Sequence, residues 1–320
     1  MSVESVQSFW HAATAFWHGL TGVAFGALAL ALLLHFTNLL LRTRAWRNIL
    51  QAAHPGARVR WRTVAGAYMA GVGANGIAPA RGGDVMKVYL VHRGIEGSSY
   101  PAIVSSLLAE TLFDAVVGSV LLIWAYSSGG IPHLPDLRSL AAFEWSFFAN
   151  HVRIFFALLA LVLIAVGAFF GWIERHVTAF YERVRAGLAI LGQPRRYLRV
   201  VVSYQAVGWL FRVASMYWFL EAFHIHASVR NALLVVVAGS VSTTLPLTPG
   251  GAGTQQALLV FMFRGVAASS AVLSFSVGMQ FAVTVANAVV GGTIIAVIFR
   301  RLPWKAHIPG MKGEAPKPAG

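Results

Sequence analysis

The chain has 320 residues, of which 57% are hydrophobic and only 11% charged, and its mean hydropathy is +0.67. A soluble domain carries about 25% charged residues, so this composition excludes one and describes a polytopic α-helical membrane protein; a barrel would show ~10-residue alternating strands instead. The net charge of +14 belongs to short loops beside anionic lipid, not to nucleic acid, and the lack of cysteine excludes disulfides and thiolate chemistry.

No Lys or Arg precedes the first apolar stretch, so that stretch does not read as a signal peptide. It runs over Gly19–Leu41, enough for the ~20 residues of a spanning helix. Arg42, Arg44, Arg47, Arg58, Arg60 and Arg62 follow it. A short apolar piece, Val64–Ile77, then ends in a first Pro/Gly break that runs from Asn75 through Pro79, Arg81, Gly82 and Gly83 to Asp84. A charged helix is predicted over Val85–His92, capped by Asp84. Full spans are predicted over Ile103–Tyr126 and Ile154–Ile173. The stretch Glu174–Gln193 sets Val177, Phe180, Tyr181, Val184 and Leu188 at helical spacing among arginines, which fits an interfacial helix or a solvated linker. A further span runs over Val200–Phe223. Ala232–Leu247 is short again and ends in a second break, with Pro246, Thr248, Pro249, Gly250, Gly251, Gly253 and Gln256. Ala257–Phe263 is its returning half, and the last span is Val272–Ile298. Met311–Gly320 reads as a disordered tail. A membrane domain is therefore expected over residues 1–305 and a cytoplasmic tail over 306–320.

Three arginine-rich clusters, after the first span, between Ile173 and Val200, and after Ile298, are cytoplasmic by the positive-inside rule, whereas the loop from Ser127 to Asn150 holds a single Arg138. The C-terminus is then cytoplasmic and the N-terminus outside, in a bacterial or archaeal-type plasma membrane. On this orientation Trp61–Arg93 starts and ends on the basic side, and Asn231–Arg264 starts and ends on the other. The fold class is all-α, a polytopic helical bundle with two re-entrant hairpins entering from opposite faces, the pattern of an inverted repeat. Ordinary kinks in complete spans are the alternative. Broken backbone of this kind cannot face lipid, so it is buried in protein or lines a wet cavity.

Glu110 and Asp114 lie within an apolar span, four apart and on one helix face. Two carboxylates there need partners or water, and Arg81 is the leading candidate cation. The Arg81 fork suits phosphate or carboxylate, Gly82 and Gly83 admit close backbone approach, and Lys87 adds charge along the following helix. The Glu110 and Asp114 network either positions Arg81 toward an anion or only orders the helices. Arg212, mid-span, should face the interior and meet Glu110, Asp114 or Glu221. His35, Asn38, Gln280 and Asn287 read as helix–helix hydrogen bonds. There is no GxSxG, HExxH or Walker A sequence and no paired histidines at metal spacing, so neither an enzyme nor a cofactor is expected.

At these motifs the chain resembles the lysylphosphatidylglycerol synthase transmembrane (flippase-like) domain family. Its first motif, Asn then Pro-x-Arg-x-Gly-Glu-x-x-Arg, is matched by Asn75, Pro79, Arg81, Gly83, Asp84 and Lys87. Its Glu-Arg-x-x-Asp is matched by Glu110 and Asp114, with Thr111 in place of the Arg. Its second motif, Pro-x-x-Pro-Gly-Gly-x-Gly-x-x-Glu, is matched by Pro246, Pro249, Gly250, Gly251 and Gly253, with Gln256 in place of the Glu. The loss of that Glu weakens any proton-coupling role at this position. The resemblance covers about Leu30 to Arg300, and implies one span fewer before the first than members usually have. It implies movement of a lipid between leaflets, without the soluble aminoacyl transferase domain that some members carry. The expected partner is a membrane lipid with an anionic headgroup, and homo-oligomerisation is left open. A secondary transporter of a small anion, or a non-transporting subunit that binds a lipid-linked sugar, are the alternatives.

Overall fold

The computed structural model describes residue 14 and residues 22–75, 82–129, 178–244 and 253–301. Most of these residues are helical, with no strand among them. The expected span over 154–173 and the tail lie outside them, as do the tips of both breaks. Helix α1 is Phe25–Ala53, α2 Trp61–Asn75, α3 Gly82–Gly94, α4 Tyr100–Ser127 and α5 Thr178–Gly187. After a 3-10 turn come α6, Pro194–Tyr197, a π-helical turn over Leu198–Val202, α7 at Ser203–Ala222, α8 at Val229–Thr244, α9 at Thr254–Met262 and α10 at Ser269–Arg301. Phe25–Ala53, Tyr100–Ser127 and Ser269–Val297 are long and apolar enough to cross a membrane. The chain folds as an all-helical membrane bundle.

The first span differs from its expected bounds. Helix α1 does not stop at Leu41 but runs twelve residues on to Ala53, through arginines that the sequence assigned to a loop. Each is satisfied inside the fold. Arg42 pairs with carboxylates, Arg44 stacks on the Trp61 ring at 3.9 Å, and Arg47 Nε donates to the Val59 carbonyl at 3.0 Å. Helix α7 is likewise prefixed by α6 and the π turn, whose Val200 carbonyl accepts from Asn48 Nδ2 at 2.7 Å. A widened turn frees a carbonyl for such a bond.

The central packing is α1 against α7, and the two run antiparallel. Ser215 Oγ donates to Ala31 O at 2.8 Å, Gly208 sits against Asn38, and Asn48 reaches Val200. The core is correspondingly double. One cluster, with Ala31, Phe219, Leu220, Phe263 and Phe275, lies toward the N-terminal end of α1. The other, with Trp46, Ile49, Leu50, Ile103 and Val201, lies toward its C-terminal end.

Helices α2 and α3 form a tight hairpin. Gly94 lies against Thr63 at its base, and Gly71 lies against Gly83 and Lys87 near its tip. Here glycine is required, because a Cβ on Gly71 would come within 2.6 Å of Gly83 O. Helix α3 starts at Gly82 and not at the expected Val85, and Asp84 falls in its first turn. Asn75 takes over the capping: its Oδ1 accepts from Gly83 N–H at 2.9 Å and its Nδ2 donates to Asp84 Oδ1 at 3.3 Å. With 15 and 13 residues, these helices are about 20–23 Å long, short of the ~30 Å hydrocarbon core. Helices α8 and α9 form the second hairpin, with 16 and 9 residues. Each hairpin packs on a span of the other half, α2 on α10 and α8 on α4.

Candidate functional site

Two polar sites flank the α1–α7 crossing, and each is built around one arginine. At the first, Arg42 Nη2 lies 2.7 Å from Glu110 Oε1 and 2.7 Å from Asp114 Oδ2. Arg42 Nε also donates to Tyr68 Oη at 3.0 Å. Trp209 Nε1 donates to Asp114 Oδ1 at 2.8 Å, and Gln205 Nε2 donates to the Glu110 carbonyl at 2.7 Å. The Glu110 side chain is 3% exposed and that of Asp114 23%. A carboxylate as buried as Glu110 persists only with a cation and well-made hydrogen bonds, and α1 supplies both. The sequence looked to Arg81 for that cation. Arg81 lies outside the described residues, and the partner within them is Arg42.

Lys87 belongs to the same neighbourhood. It is buried, with Nζ 3.4 Å from Asp84 Oδ1 and 4.7 Å above the Tyr68 ring. A buried ammonium needs such cover. Asn75, Gly82, Gly83, Asp84 and Lys87 are thus brought together at the hairpin. Pro79 falls with Arg81 outside the described residues. Below the acids, Tyr197 donates to the Ala109 carbonyl at 3.1 Å. Burial, then Asp114 and Glu110, push its phenol above the ordinary tyrosine range.

The second site is a cavity of about 300 Å³ between α1, α7, α8, α9 and α10. His35, Arg212, Val236, Gln255, Gln280 and Thr284 are among its lining residues, with Met216 and Met279. Contrary to expectation, Arg212 forms no ion pair among the described residues. Its guanidinium lies 4.8 Å from the Trp209 ring centroid. The reason is competition: Arg42 already occupies Glu110 and Asp114, and Glu221 stands at the far end of α7. At the start of α9, Gln256 Oε1 accepts from Gly253 N–H at 2.6 Å while its Nε2 donates to Gln280 Oε1 at 2.6 Å. Gln256 therefore acts as a cap and a helix tie. Gly253 has φ 87°, a left-handed backbone that glycine adopts at no steric cost. Thr248, Pro249, Gly250 and Gly251 lie outside the described residues. His35 bonds Asn287 Oδ1 at 3.1 Å, the helix–helix bond expected of it. Sequence reasoning missed Arg42, Tyr68 and Trp209 as site residues; for Arg42 the available signal was its position on the very edge of an apolar span.

The sequence matches the family model described as Lysylphosphatidylglycerol synthase TM region over residues 6–291. The chain belongs to that family. A relative, a UPF0104 membrane protein of Methanocaldococcus jannaschii, is 23% identical over 193 residues, covering 59% of this chain and 78% of that protein. No solved structure matches the chain. This member of the Lysylphosphatidylglycerol synthase TM region family is therefore an integral membrane protein of a family of membrane domains. Both arginine sites lie within the matched segment.

Proposed function

We propose that this protein is a lipid translocase that moves a lipid with an anionic headgroup between membrane leaflets, and that it is not an enzyme. The observation that carries the reading is the pair of short helical hairpins seated against spans of opposite halves, with a cationic, partly apolar cavity beside the second. Helices too short to cross, packed into a bundle at span depth, expose polar groups where a spanning helix would expose only side chains. The cavity offers a guanidinium and amides to a headgroup, and Val236, Met216 and Met279 to its apolar part. Arg42 and Lys87 are less suited to that task, because carboxylates already hold them. Arg81 remains a second candidate cation on the sequence argument alone. On the charge distribution of the loops, the C-terminus is cytoplasmic and the first hairpin enters from that side.

The test is reconstitution. Proteoliposomes containing fluorescent phosphatidylglycerol should lose outer-leaflet accessibility faster than protein-free vesicles. Equal rates would sink the reading. Uptake of a soluble anion with no lipid movement would instead favour a secondary anion transporter.

A further inference from the structure

The two halves of the bundle repeat one another, and the repeat locates a ligand charge. Helix starts advance in step from Trp61 to Val229, from Gly82 to Thr254 and from Tyr100 to Ser269, to within the one or two residues by which helix ends vary. The packing repeats as well: α1 with α4 is matched by α7 with α10, and α2 on α10 by α8 on α4. Because α1 and α7 are antiparallel partners of each other, the repeat is inverted.

On this shift Arg42 falls on Arg212, Glu110 on Gln280 and Asp114 on Thr284. The first half thus surrounds its arginine with two carboxylates. The second half surrounds its arginine with an amide and a hydroxyl at the same two places, and keeps a cavity of about 300 Å³ there. A guanidinium at membrane depth needs a counter-charge, and this half of the chain does not supply one among its described residues.

We propose that the Arg212 cavity is an anion site, and that a phosphate group of the ligand supplies the charge that Glu110 and Asp114 supply to Arg42. The planar fork matches two phosphate oxygens, and Gln255, Gln280 and Thr284 stand by as neutral donors. The inference deepens the translocase reading and rests on it for the lipid character of the ligand; a lipid headgroup and free phosphate share the chemistry.

The experiment turns the second half into a copy of the first. Gln280→Glu changes charge with almost no change of shape and keeps the acceptor for Gln256. Binding of dioctanoyl phosphatidylglycerol and of inorganic phosphate to the purified full chain in neutral detergent is measured by calorimetry. Gln280→Glu and Arg212→Gln should each weaken binding about ten-fold or more. Thr284→Asp should weaken it about ten-fold further than the steric match Thr284→Asn. Acidification that protonates the introduced carboxylate should restore binding to Gln280→Glu. Wild-type affinity in Gln280→Glu, or equal losses in the two Thr284 variants, would overturn the proposal. Preference for the lipid over phosphate assigns the site to a headgroup, and the reverse assigns it to a soluble anion. If charge variants lose binding while wild-type vesicles scramble lipid no faster than empty ones, the site stands and translocation fails. If Gln280→Glu scrambles like wild type, translocation stands and this site fails.

Discussion

Arg42 and Arg212 show how far one residue's meaning depends on its partners. Both are arginines in apolar helices, yet Arg42 is held by Glu110 and Asp114 and Arg212 by an aromatic ring and a cavity. Removing one partner from a buried pair leaves an uncompensated charge, which costs about 3–5 kcal/mol. Arg42→Ala should therefore lower the thermal unfolding midpoint in detergent markedly, while Glu110→Gln, which leaves Arg42 with Asp114, should lower it less. An Arg42→Ala protein as heat-stable as wild type would show that Arg42 is not what stabilises the two acids. The two acids were legible in the sequence, because carboxylates in an apolar run must be paired. Their partner was not, because Arg42 opens a series of arginines that reads as an ordinary basic loop.

At the scale of elements, glycines decide how closely the short helices seat. A Cβ on Gly73 would lie 2.6 Å from Asn287 O and 2.7 Å from Gly291 Cα, so α2 and α10 touch backbone to backbone. Gly73→Val is expected to push the first hairpin off α10, giving aggregation or loss of the monodisperse peak in size-exclusion chromatography. Gly26→Val, where a Cβ would meet nothing within 4 Å, should leave the elution profile unchanged. A monodisperse Gly73→Val protein would mean that the α2–α10 contact is dispensable. Most helices were legible from apolar runs, and their ends were the least so. Helix α1 passed its expected end because its arginines found partners across the bundle, and α3 began early because Asn75 of the preceding helix caps it. Both extensions depend on residues far from the helix end in space or sequence, which periodicity does not record.

At the scale of the whole molecule, the antiparallel α1–α7 crossing predicts that the two hairpins enter from opposite ends. The cysteine-free chain makes this directly measurable by single-cysteine labelling in sealed vesicles. Arg58→Cys and Glu96→Cys, at the two ends of the first hairpin, should be modified by an impermeant reagent from the same side. His226→Cys and Ala268→Cys, at the two ends of the second, should be modified only from the other side. Labelling of Arg58→Cys and Glu96→Cys from opposite sides would turn the first hairpin into a complete crossing and remove the inverted arrangement.

Sequence by itself determined the class of this protein: a helical membrane bundle, interrupted twice, with acids and arginines where lipid would reject them. Those conclusions follow from the cost of placing polar groups in hydrocarbon, which is a property of each residue and its near neighbours along the chain. Tertiary structure decided which charges are spent on each other. The pairing of Arg42 with Glu110 and Asp114, and the corresponding lack of a carboxylate partner for Arg212 among the described residues, arise from helices that meet only in the folded bundle. An ion pair is fixed by distances of a few ångströms between residues remote in sequence, and only packing sets those distances.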